Sequence, residues 1–82
     1  MDEKDISIEV HIEEDQSSTH VHAVLDLRGD HFEASGRAKR NPTDTPMPVI
    51  GEELAIARAL HELQHAVMQA AHDKIEAYLA AE

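Results

Sequence analysis

The hydrophobic period of this chain changes once, and that change limits what it can fold into. Up to Lys39 apolar residues alternate with polar ones, whereas from Ile56 onward they recur every three to four residues. A period of two marks half-buried strands, and a period near 3.6 marks an amphipathic helix. Strands first and helix afterwards imply an α+β fold with the helical layer on one face of an antiparallel sheet.

Three alternating segments define the strands. Ile6, Ile8, Val10 and Ile12 are interleaved with Ser7, Glu9 and His11. Val21, Ala23, Leu25 and Leu27 follow with His20, His22, Val24 and Asp26 between them. Phe32, Ala34, Gly36 and Ala38 alternate with Glu33, Ser35 and Arg37. Strands are predicted over about 6–12, 19–27 and 31–39, joined by the turn-forming links EEDQSS and RGD into a three-stranded antiparallel meander. Arg28-Gly29-Asp30 is also the adhesion tripeptide, but a hairpin turn with Gly29 at positive φ explains it better. Pairing Ile12 with Thr19 would set His11 opposite His20, and Glu9 opposite His22, on the polar side of the sheet.

The stretch NPTDTPMPVIGEELAIARAL, residues 41–60, joins sheet to helix. Pro42, Pro46 and Pro48 predict a stiff, extended loop over 41–50. Gly51 suits an N-cap, and Glu52 and Glu53 suit the positive end of a helix dipole. Ile56, Leu60, Leu63, Val67 and Ala70 or Ala71 share one helical face. Lys74 then interrupts that face, and Asp73-Lys74-Ile75-Glu76 reads as a capping box. Helices are therefore predicted over about 52–71 and 74–81, with a break near His72–Asp73. One unbroken helix, the alternative, would be ~43 Å long and would overhang the strands, which calls for a partner chain.

The same stretch resembles the signature of a small actinobacterial family, domain of unknown function 1876. The matching residues are Asn41, Pro42, Asp44, Pro48, Ile50 to Leu54 and Ala57 to Leu60. The resemblance runs weakly back over the strands and forward to about Tyr78. It implies a βββαα fold like that of double-stranded-RNA-binding domains (dsRBDs). It also implies a link to dormancy or low-oxygen stress, and a likeness to ribosome hibernation-promoting factors. Family members tend to present basic residues outward on the second strand; here those positions hold His20, His22, Val24 and Asp26.

Eighty-two residues make a single domain, 1–82, with a thin core, and only Phe32 and Tyr78 are aromatic. The absence of cysteine excludes disulfides and thiolate zinc sites. No apolar run approaches a membrane span, and the N-terminal MDEKD lacks a signal-peptide core, so a cytoplasmic protein without membrane contact is expected. A formal net charge of −10 opposes non-specific nucleic-acid binding, and seven histidines make that charge responsive to pH near neutrality.

His61-Glu62-Leu63-Gln64-His65 matches the zincin motif H-E-x-x-H, in which two histidines one turn apart bind zinc and Glu is the general base. A third ligand is required, and His72 lies ~10 Å further along the helix axis. A solvated helix face is the better reading, with His61 and His65 as the candidate metal ligands. No cofactor is expected. On the strands, His11, His20, His22 and Glu9 could together bind a borderline metal, but a polar sheet face is favoured. Arg37, Lys39 and Arg40 form a small basic patch that, with His20 and His22, makes the candidate partner-binding surface. Direct nucleic-acid binding is disfavoured. Glu52 and Glu53 occupy the helix N-terminus, and there is no aromatic stacking platform.

The expected protein is a non-enzymatic, homodimeric, dormancy-associated binding protein acting on the ribosome or another protein of the translation machinery. The alternatives are an interaction protein with no nucleic-acid role and, from a different class, a zinc-dependent hydrolase using His61, Glu62 and His65. Dimerisation is expected because a lone helical layer leaves strand edges and a second helical face, around Leu54 and Met68, uncovered.

Overall fold

The computed structural model describes residues 1–39 and 48–81. Its order is β1 (Glu9–Glu14), β2 (Ser18–Leu27), β3 (Asp30–Lys39) and α1 (Pro48–Ala80). The strands form an antiparallel sheet in the order β1-β2-β3, and the one long helix lies across it, an α+β fold as expected. The stiff connection expected over 41–50 falls outside the described residues as far as Met47.

Both turns follow from their sequences. In the β1–β2 link the Asp15 carboxylate accepts hydrogen bonds from the Ser17 and Ser18 amides, both at 2.8 Å, and the Asp15 amide donates to the Ser18 carbonyl. This Asx turn closes the hairpin in four residues, so pairing extends to Glu14↔Thr19. The expected register, Ile12 with Thr19, is therefore wrong by two: Ile12 pairs with Val21, His11 with His22 and Glu13 with His20. A shift of two leaves each side chain on its expected face. At the second turn Arg28 (φ 51°) and Gly29 (φ 87°) both adopt left-handed backbone, which is the twist-matched two-residue hairpin.

The core is thin and built of small residues. Val21, Ala23, Leu25 and Ala38 of the sheet meet Ala55, Ala59 and Leu63 of α1, with Ile12, Phe32, Ile56 and Val67 packed around them. Gly36 decides the closeness of the two layers. A Cβ there would sit 2.2 Å from the Ala55 carbonyl oxygen and 2.4 Å from the Ala59 nitrogen. Because the helix backbone approaches so near, alanines occupy the contact, and Leu60, expected in the core, is displaced to an exposed shoulder.

The helix differs from expectation at both ends. It begins at Pro48, so Gly51 lies within it and is not an N-cap. Proline suits the first helical turn, where its missing N–H has no partner to lose. It also continues unbroken through His72 and Asp73 to Ala80. Asp73 does not cap a helix; its carboxylate accepts a hydrogen bond from the Gln69 side chain one turn earlier, at 3.1 Å. Lys74, which interrupts the apolar face, reaches Asp30 at the second turn, Nζ to Oδ2 2.6 Å. A charge on the sheet-facing side is thus matched by an acid at the end of the sheet. No Gly or Pro follows Gly51 to force a break. Thirty-three residues make a helix of about 50 Å, against about 33 Å for a ten-residue strand. The part beyond Ala70 consequently projects past the sheet and is exposed throughout.

Candidate functional site

The face of the sheet opposite α1 carries no covering element among the described residues, and alternation places its polar side chains there. Register aligns them in rows: Glu13, His20 and Arg37 in one, His11, His22 and Ser35 in the next. Together they line a shallow open depression of about 640 Å³, whose floor is the backbone at Val21 and Gly36. Lys39 extends the basic end, while Asp26, Glu33 and His31 lie towards the second turn.

The histidines on this face are held differently. His22 is clamped: Nε2 donates to Glu33 Oε1 at 2.9 Å, and Nδ1 lies 3.1 Å from Ser35 Oγ. Glu33 also bridges to His31 Nε2, 3.3 Å from its second oxygen, and His31 Nδ1 contacts the Asp26 carboxylate. The hydrogen bond from His31 to Asp26 raises the His31 pKa above its ordinary 6.5. Hydrogen bonds from His22 first, and then His31, hold Glu33 below its ordinary 4.5. His11 approaches Glu13 on its own strand at 3.2 Å. His20 stands exposed between Glu13 and Arg37.

The metal grouping envisaged from His11, His20, His22 and Glu9 does not assemble. The actual register puts Glu9 opposite Val24, and Glu33 and Ser35 occupy the His22 ring nitrogens. Among the described residues no group of three or more His, Cys, Asp or Glu is arranged to hold a metal ion. His61, Glu62 and His65 are exposed on α1, turned from Ala59 and Leu63 and hence from the sheet. Of the basic patch, Arg37 and Lys39 stand at the end of β3, and Arg40 lies outside the described residues. Arg58 is not available to the patch: it donates to the Arg37 carbonyl at 2.7 Å and ties α1 to β3.

A family model for Rv2632c-like proteins matches residues 4–82. The chain belongs to the Rv2632c-like family. It is 39 % identical over 74 residues to the uncharacterized protein Rv2632c of Mycobacterium tuberculosis, covering 90 % of this chain and 80 % of that one. It is 34 % identical over 71 residues to the uncharacterized protein Mb1767 of Mycobacterium bovis, covering 87 % and 76 %. The crystal structure of Rv2632c superimposes with a TM-score of 0.89 at 37 % identity, over 95 % of this chain and 93 % of that one. The Rv2632c-like fold is thus shared over almost the whole length.

Two features of this Rv2632c-like chain escape sequence reasoning. The His22–Glu33–His31–Asp26 chain joins residues of β2 and β3, whose register the Arg28–Gly29 turn sets; alternation places these residues on one face but does not say which of them bond. The exposed apolar side of α1, expected around Leu54 and Met68, also takes in Leu60, because Gly36 decides which helical residues meet the sheet. No helix among the described residues is long and apolar enough to cross a membrane.

Proposed function

We propose that this chain is a non-enzymatic, cytoplasmic binding protein that works as a homodimer and docks the open face of its sheet on a partner. The supporting observation is the make-up of that face. It is broad and shallow, it has no helix over it among the described residues, and it grades from Arg37 and Lys39 at one end to Asp26 and Glu33 at the other. Such a surface suits contact with a macromolecule better than enclosure of a small substrate. The partner class comes from the resemblance of the 41–60 block to the dsRBD-like, dormancy-linked family likened to hibernation-promoting factors: the ribosome or its associated proteins. Arg37, Lys39 and His20 are the contact residues in this reading.

A specific observation favours a second reading, an interaction protein with no nucleic-acid role. Glu9, Glu13, Asp26 and Glu33 share the face with the basic residues, and the whole chain carries −10. Co-sedimentation with ribosomes at low and high salt separates the two, because phosphate contacts weaken steeply as salt rises. Salt-sensitive sedimentation lost in an Arg37→Glu, Lys39→Glu variant supports the ribosomal partner. No sedimentation at low salt refutes it. Peptidase activity abolished by Glu62→Gln would refute the non-enzymatic assignment itself.

A further inference from the structure

α1 packs over β3 and β2, which leaves the core-facing side of β1 beside the helix rather than beneath it. A groove of about 490 Å³ results, with Ile8 and Leu25 on its floor and Leu60, Val67 and Met68 along its helical wall. The same side of α1 continues past the sheet. At helical spacing Leu60, Val67, Met68, Ile75, Tyr78 and Leu79 fall within one stripe ~120° wide. Its outer members are open to solvent: Ile75 is 55 %, Tyr78 69 % and Leu79 61 % exposed.

We propose that this stripe is the interface of a two-fold dimer. The α1 of a second copy lies antiparallel along it, and the overhang of each helix beyond Ala71 fills the groove beside the other copy's β1. The inference deepens the homodimeric part of the reading above and rests on it.

The occupant is specified by self-complementarity. A two-fold interface requires that if residue i meets j, then j meets i. The apolar stripe is centred between Met68 and Ala71, so antiparallel pairing sets Leu60 opposite Leu79, Gln64 opposite Ile75 and Met68 opposite Ala71. No two carboxylates come opposite each other, since Glu62 falls at Ala77 and Glu76 at Leu63. The exposed parts of the stripe and Ile8 amount to roughly 650 Å² per protomer, within the ~600–1,000 Å² that one side of a standard stable interface buries. An apolar patch of that size exceeds what monomers ordinarily leave exposed. Pairing through the β1 edge is the competing geometry. It would bring Glu9, Glu13 and Glu14 of two copies together, a charged edge of the kind that prevents strand addition.

Light scattering on the size-exclusion eluate at micromolar concentration reads the assembly. The expected mass is twice the 9.1 kDa of the chain. An Ile75→Asp, Leu79→Asp variant, altered only where the protomer is exposed, should fall to the single-chain mass and retain cooperative unfolding. The chain has no cysteine, so an introduced thiol reports proximity cleanly. Ala71→Cys, beside the two-fold axis, should give a disulfide-linked dimer on mild oxidation, whereas Glu62→Cys on the far side of α1 should not. A wild-type monomer, a dimer indifferent to the double variant, or equal cross-linking from both thiols overturns the proposal. These readouts do not involve the sheet face, so failure of ribosome co-sedimentation leaves the dimer standing, and failure here leaves the sheet-face reading standing.

Discussion

Gly36→Ala should be among the most damaging single-methyl changes in this protein. The added Cβ would lie 2.2 Å from the Ala55 carbonyl oxygen, 2.4 Å from the Ala59 nitrogen and 3.0 Å from the Ala59 Cα. Those first two atoms are the acceptor and donor of one helical hydrogen bond, so the methyl intrudes on the ladder of α1 itself. These three nearest atoms are all main chain, so no rotamer change relieves the clash. Restoring an ordinary contact requires helix and strand to separate by about 1 Å at the centre of the core, a gap that forfeits a quarter to a half of the dispersion attraction across it. Overpacking usually costs ~1–3 kcal/mol, and this rigid case belongs near ~3. For a domain of this size that is a fall in Tm of roughly 12–24 °C. Thermal melts followed by circular dichroism, at one fixed protein concentration, measure it. Gly29→Ala provides the control: its φ of 87° is unfavourable for alanine, yet nothing lies within 4 Å of the new Cβ. It should cost ~1–2 kcal/mol through backbone conformation alone. A Gly36→Ala loss under about 5 °C would refute the close-approach argument.

Arg28→Asn should raise stability by ~0.5–1 kcal/mol, seen as a higher denaturation midpoint, because asparagine accepts the left-handed conformation that Arg28 adopts at 51°. Stability should be greatest between about pH 4.5 and 6.5. Asp15, held low mainly by the Ser17 amide, and Glu33, held low mainly by His22, contribute fully above their unfolded values of 3.8 and 4.5 and lose that contribution as pH falls through their folded pKa values. His31, raised by Asp26, contributes fully below 6.5 and loses its contribution as pH rises through its folded pKa. Melts carried from about pH 4.5 up to about pH 9 for the parent chain and His31→Gln check the alkaline limb, which should flatten in the variant. His65→Ala should change stability by no more than ~0.5 kcal/mol, as expected of an exposed position, and His61→Ala with His65→Ala should leave binding through the sheet face unaltered. Binding lost with the fold intact would return those histidines to the site.

The sequence by itself determined the class of fold, the faces of the strands and the second hairpin. These rest on local rules: a period of two assigns alternate side chains to opposite faces in any register, and Arg28-Gly29 before Asp30 is turn chemistry wherever it occurs. That is why a pairing wrong by two residues still put His20, His22 and Arg37 together on the polar side. Tertiary structure decided the rest. The apparent stop at Asp73 is overridden because Gln69 engages its carboxylate and Asp30, distant in sequence, meets Lys74. Which helical residues enter the core depends on Gly36, whose missing side chain lets the α1 backbone settle against β3 and turns Leu60 outward. The clamping of His22 and His31 uses β2–β3 neighbours that the second hairpin brings together, but alternation alone does not say which of them bond. Local propensity cannot anticipate the Lys74–Asp30 pair or the approach of Ala55 and Ala59 to Gly36, because they join residues far apart in the chain, and their energy exists only once sheet and helix have come together.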